Sequence, residues 1–124
     1  SAIWHWDVYY TTAVQAVIDG TWSEMGNYYG GIKEGIVGIT DLSDLCVKGT
    51  QEKIDAVDAL FMDGSWDVFS GVKLTFDDSN AVVKTDADLV DADGNVVVKA
   101  GEGSVEDSVI QGSMDYFVKG VELK

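Results

Sequence analysis

The stretch SAIWHWDVYY gathers side chains suited to recognition chemistry. Trp4 and Trp6 flank His5, the only histidine, and Tyr9 and Tyr10 follow within a helical turn. A flat indole suits stacking on a heterocycle, and main-chain amides at a helix start can donate to an acceptor. Residues that enter a helix in an α/β protein lie near strand ends, where clefts form. Trp4 and Trp6 are therefore expected beside a ligand, whereas Tyr9 and Tyr10 are expected in the core.

Other constellations carry less chemistry. Cys46 is the only cysteine, which excludes an internal disulfide and a thiolate zinc cluster, and it is expected as a small buried apolar residue. A cysteine nucleophile would need His5, far away in sequence. The run DADLVDADGN invites a calcium loop, yet counting back from Gly94 puts Leu89 where the first carboxylate belongs. A hairpin turn at Asp93 and Gly94 is expected instead. The segment GGIKEGIVG lacks the ending of a phosphate loop, so its glycines are expected to permit close backbone approach or a hinge. Asp77 and Asp78 are expected as solvated turn residues. No nucleophile–base pair, metal-ligand spacing or cofactor motif emerges, and the chain does not read as an enzyme.

The charge balance narrows the partners. With 22 acidic residues against 8 basic ones, all lysine, the net charge is −14. A nucleic-acid surface needs a basic face, so that class is excluded. Apolar residues make up 46% of the 124, ordinary for a globular protein. No apolar run approaches the roughly 20 residues of a membrane-spanning helix. The length suits one domain or part of a two-lobed one.

The elements that must position these residues read as alternating helices and strands. Apolar spacing predicts a helix over 6–19, with Tyr10, Val14 and Val17 on one face and Tyr9, Ala13 and Ala16 beside it, together a broad buried stripe. Asp7 suits its positive end and Gly20 its stop. A second helix is predicted from Thr50, as N-cap, through Ile54, Val57 and Phe61 to Gly64. A third follows Ser104, whose SVED approximates a capping box, with Ile110, Met114, Phe117 and Val121 as its stripe. Strands are predicted over 27–32, 35–40 and 66–70. Segments 82–83, 88–90 and 95–99 read as a small acidic hairpin. Helices interleaved with short apolar strands favour an α/β domain.

The segments SAIWHWDVYYTTAVQAVIDGTW, NYYGGIKEGIVGIT, DGSWDVFSG, DGNVVVKAGEG and SMDYFVKGV, in this order, resemble the last third of the basic membrane protein family. These are solute-binding lipoproteins of ABC transporters, similar to the purine nucleoside receptor A group. Family patterns at these places include a Ser-containing crossover, a glycine-rich GGLKDG, a strand like VFAG and a closing helix like MDWFVEGV. The resemblance implies part of a type I periplasmic-binding-protein fold, two α/β lobes with a hinge, to which this chain adds a small β-hairpin. Residues 1–124 would be the C-terminal part, with the hinge crossover near 1–6 and an acidic hairpin insertion near 75–99. It implies a receptor lipid-anchored to the outer face of the bacterial cytoplasmic membrane, delivering a purine nucleoside or nucleobase to an ABC permease.

The crossover beginning at Ser1 is the part of the family's site that this chain retains. Many members carry a lysine three residues beyond that serine; Trp4 stands there instead, as in a branch resembling nucleobase binders. Ser1, Trp4 and Trp6 are therefore the expected ligand-binding residues. Partners implied are the solute, the permease and the N-terminal lobe of the same protein, with a homodimer expected if this chain is left alone. The alternative is a small acidic, non-catalytic protein-interaction domain whose aromatic start is the contact patch.

Overall fold

A computed structural model describes residues 1–121 of the chain. The chain is a mixed α/β one in which helices alternate with small antiparallel sheets. It forms two compact units, one from Ser1 to Lys48 and one from Gly49 onward.

In the first unit, β1 (Ala2–Trp4) pairs antiparallel with β2 (Val37–Ile39), Trp4 opposite Val37. The pairing runs on at both ends, because the Thr40 amide donates to the Ser1 carbonyl and the His5 amide to that of Ile36. A strand through the opening residues was not expected from sequence. Helix α1 (Trp6–Ile18) matches the predicted span, with Asp7 in its first turn and Gly20 (φ 73°) just past its end. A 3-10 turn follows at Trp22–Glu24.

Of the broad stripe predicted for α1, only the Tyr9, Ala13 and Ala16 side is covered. Ala16 is buried and Tyr9 and Ala13 are half-buried, whereas Tyr10, Val14 and Val17 are about 60% exposed (59%, 60% and 62%). The helix is apolar on both flanks, and spacing alone cannot rank two flanks of similar hydropathy. The predicted strand 27–32 is also absent. The Glu34 carboxylate accepts from the Gly31 amide at 2.7 Å, and the Gly31 carbonyl accepts from the Ile36 and Val37 amides. The glycine-rich segment therefore folds back on itself as a turn, with strand structure only at its end. Cys46, expected in a core, is exposed on the connecting segment with Leu45 and Val47.

In the second unit, α2 (Thr50–Asp63) runs from Gly49 (φ 90°) to Gly64 (φ 70°). Gly49 rather than Thr50 is the N-cap, because the backbone enters the helix through a left-handed residue. The predicted stripe Ile54, Val57 and Phe61 is half-buried as expected, and Phe61 packs against Trp66 with ring centroids 5.3 Å apart. The predicted strand 66–70 is a turn. Asp67 accepts from the Phe69 amide through its side chain and from Ser70 Oγ through its carbonyl, so local bonds outcompete the β-branched composition.

Two hairpins stand where one was expected. Strand β3 (Val72–Phe76) pairs with β4 (Val82–Asp86), and β5 (Leu89–Val90) pairs with β6 (Val96–Val98) around the predicted turn, where Gly94 has φ 91°. Segment 82–83 thus belongs to the first hairpin, whose other strand the sequence did not reveal. Gly71 ties the unit together. Its amide donates to the Glu102 carbonyl, its own carbonyl accepts from the Ala87 and Gly101 amides, and an added Cβ would land on the Lys99 carbonyl oxygen.

The third helix is short. Helix α3 spans Asp107–Gly112, with Glu106 and not Ser104 as N-cap, and Ser104 Oγ donates to the Val105 carbonyl instead of capping. Met114 and Phe117 lie beyond it. The chain there pairs with the β5 edge: Val118 bridges Asp91, and the Lys119 and Ala92 amides donate to the Val90 and Phe117 carbonyls. Glycine at 112 weakens the helix, and the open hairpin edge supplies the partners that replace it.

Candidate functional site

The opening residues form an exposed aromatic stack on the first unit. Trp4 leaves the end of β1, His5 precedes α1, and Trp6 opens the helix. Trp4 and Trp6 stack with centroids 5.8 Å apart and planes at 26°. Tyr10, one turn along α1, stacks on Trp6 at 6.1 Å and 25°. These are offset-stacking distances. Trp4 is 61% exposed and Trp6 51%. Tyr9 turns to the other flank, against Tyr28 at 5.2 Å.

The β1–β2 pair sets this arrangement. His5 lies over Gly38 of β2, where an added Cβ would meet the imidazole Nε2 at 2.7 Å. A side chain at that point would push the imidazole aside. Of the expected site residues, Trp4 and Trp6 are brought into contact. Ser1 stands at the far end of β1, its carbonyl held by the Thr40 amide, and contacts neither indole through any hydrogen bond.

Sequence reading missed Tyr10 as the third ring and Gly38 as the seat of His5. The first signal was present: Tyr10 follows Trp6 by four residues, so the two share a helix face. The second was not, because the β1–β2 register is a long-range pairing.

The acidic turns are occupied by structure. Asp91 accepts from the Asp93 and Asn95 amides and from Asn95 Nδ2, and these bonds, the Asn95 side chain first, hold its carboxyl below the usual aspartate range. Asp77, expected only as a solvated turn residue, binds the Ser79 hydroxyl and the Ser79 and Ala81 amides, with the same downward effect, Ser79 first. Glu34 is lowered chiefly by the Gly31 amide. Among the described residues no group of three or more His, Cys, Asp or Glu side chains could hold a metal. No helix among them is long and apolar enough to cross a membrane.

Two depressions lie away from the stack, one of about 490 Å³ beside α1 at Gln15, Asp19 and Met25, the other of about 660 Å³ between β3 and β5 at Trp66, Leu74 and Leu89. Neither includes Trp4 or Trp6. With both indoles about half or more exposed, the aromatic stack presents open ring surface suited to stacking on a flat partner. No known protein-family model matches the chain, and no curated protein does.

Proposed function

We propose that this chain belongs to the extracytoplasmic solute-binding component of an ABC importer, taking a purine nucleobase or nucleoside. In this reading the chain contributes to a type I periplasmic-binding-protein fold, and a further lobe of the same protein faces the aromatic stack. Lobe closure around the solute is a binding-linked conformational change, and the loaded receptor delivers its cargo to the permease. The receptor is held by lipid at the outer face of the bacterial cytoplasmic membrane. The ordered run of family-like segments motivates the reading, and the observation that carries it is the exposure of the stacked Trp4 and Trp6 indoles. Large aromatic surface left open at a strand–helix junction marks a contact site. A Trp4 sealed inside a self-contained core would have removed its physical basis.

Isothermal titration of the whole protein with adenine, adenosine, guanosine and inosine tests the proposal. Heat with at least one is expected. Silence with all four, alongside binding of some unrelated solute, removes the purine assignment.

A second reading, a small acidic protein-interaction domain without catalysis, is favoured by one observation. Val14, Val17 and Ile18 extend the exposed apolar surface along α1 beyond the rings. The gene upstream of Ser1 separates the two. A lipid-attachment cysteine and a first α/β lobe support the receptor; a start codon close by supports the small domain.

A further inference from the structure

We propose that the outer edge of β3 pairs with β3 of a second copy of this chain, antiparallel and centred on Thr75. The surface lies in the second unit and does not depend on the receptor reading. The β3–β4 register fixes which main-chain groups face outward. The Ala87 amide donates to the Gly71 carbonyl and the Asp77 amide to the Ala81 carbonyl, so odd-numbered positions turn their amides and carbonyls to β4. Even-numbered positions turn theirs away. Val72 follows this rule, because its carbonyl accepts from Trp66 Nε1 at 2.7 Å. Leu74 and Phe76 make no main-chain hydrogen bond outside the hairpin among the described residues.

Unpaired groups on a strand edge are a template for another strand. The depression of about 660 Å³ leaves space beside Lys73 and Leu74. Nothing blunts this edge: the chain has no proline, and the β3–β4 pairing runs through its five residues without a bulge. Other edges are shorter or taken. Strands β1, β2 and β6 have three residues each, Val118 bridges Asp91 beside β5, and Lys84 of β4 reaches back to Ser65.

The side chains select a second copy as the partner, and one register for it. Centred on Thr75, Leu74 of each copy exchanges main-chain bonds with Phe76 of the other, which uses every open group at the two positions. Lys73 then lies opposite Asp77 of the second copy, twice across the two-fold axis, and Thr75 lies opposite itself. All three bonds that Asp77 accepts through its side chain go to Oδ1, so Oδ2 can take the ammonium. On the other face Leu74 meets Phe76, which is 37% exposed in the single chain. Centring on Leu74 would need the Val72 carbonyl that Trp66 holds and would set Lys73 against Thr75. Centring on Phe76 would set Leu74 against Asp78.

Sedimentation equilibrium and diamide oxidation of the 124-residue chain test this, with Cys46→Ser in every cysteine variant because Cys46 is exposed. Thr75 faces its own copy in a pair whose Cα atoms lie about 4.5 Å apart, within disulfide reach. Thr75→Cys should therefore cross-link into dimers. Lys73→Cys, whose two copies lie about 13 Å apart in this register, should stay monomeric on a denaturing gel. Lys73→Asp should weaken the dimer at least about tenfold, since two attractive pairs become repulsive. Adding Asp77→Lys, which exchanges the charges across the interface, should recover most of that loss. Circular dichroism of each variant confirms the fold; if Asp77→Lys unfolds its turn, the cysteine pair and Lys73→Asp decide. The inference is overturned if the wild-type chain is monomeric at every concentration, if Thr75→Cys cross-links no faster than Lys73→Cys, or if Lys73→Asp associates as the wild type does. Association through the open face of α1 would give the last two results.

Discussion

Asp91 shows how a single carboxylate organises a turn that its acidic neighbours would otherwise loosen. Its oxygens collect two main-chain amides and the Asn95 side chain inside a turn that also holds Asp93. Each of these bonds favours the ionised form, so the folded carboxyl is a stronger acid than the unfolded one. A lowered folded pKa means that the stabilisation is complete above the ordinary aspartate range, near pH 4, and is lost as pH falls through the folded value. The β5–β6 hairpin should therefore hold constant protection of the Asp93 and Asn95 amides from neutral pH down to about 4, then lose it in more acid solution. Asp91→Ala should show weak protection at every pH. Amide hydrogen exchange reads both, and a pH-independent wild type would contradict this account. DADGN announced its turn in the sequence, because the Asp-Gly pair states its own backbone geometry. It did not announce that Asp91 would be the organising acceptor among several aspartates.

At the scale of elements, local competition decided where strands form. Segments 27–32 and 66–70 have strand-like composition, but Glu34 and Asp67 each capture a nearby amide and hold the chain in turns. Of the strands that formed without being expected, β1 is set by a partner distant in sequence, Ile3 opposite Gly38, and β3 by the next strand of its own hairpin, Thr75 opposite Val83. Gly71 is the joint on which the second unit depends. Its amide and carbonyl make three bonds to two other segments, at Ala87 and at Gly101–Glu102, and the Lys99 carbonyl occupies the place of its missing Cβ. A main-chain atom cannot swing aside as a side chain does. Gly71→Ala should lower the stability of this unit by about 2–3 kcal/mol, read as a shift in a urea melt. Gly103→Ala, where an added Cβ meets nothing, should cost much less. Equal effects at the two positions would remove the packing argument.

Over the whole molecule, apolar content exceeds what the described fold covers. Among the described residues only Ala16, Ile36 and Val98 are buried hydrophobics, while Trp4, Tyr10, Val14, Val17, Ile18 and Leu45 remain open to solvent. Exposed apolar surface on this scale is associated with a covering partner. The 124-residue chain alone should self-associate, and it should melt with low cooperativity because few side chains are fully shielded. Sedimentation velocity across a concentration series should show dimers or larger species, and salt should strengthen association by screening the net charge of −14. A clean monomer with a sharp thermal transition would contradict this.

What the residues determined unaided are the features written in short-range chemistry. Helices α1 and α2 follow from 3.6-residue spacing and stopping glycines, the 93–94 turn from its dipeptide, and the lack of a basic face from composition. What only the tertiary structure decided are features that depend on which distant segment arrives. These are the outward turn of Tyr10, Val14 and Val17, the replacement of a long third helix by pairing of Val118 with Asp91, and the seating of His5 on Gly38. A side chain's type reports how much it gains from burial. It does not report whether a partner comes to bury it.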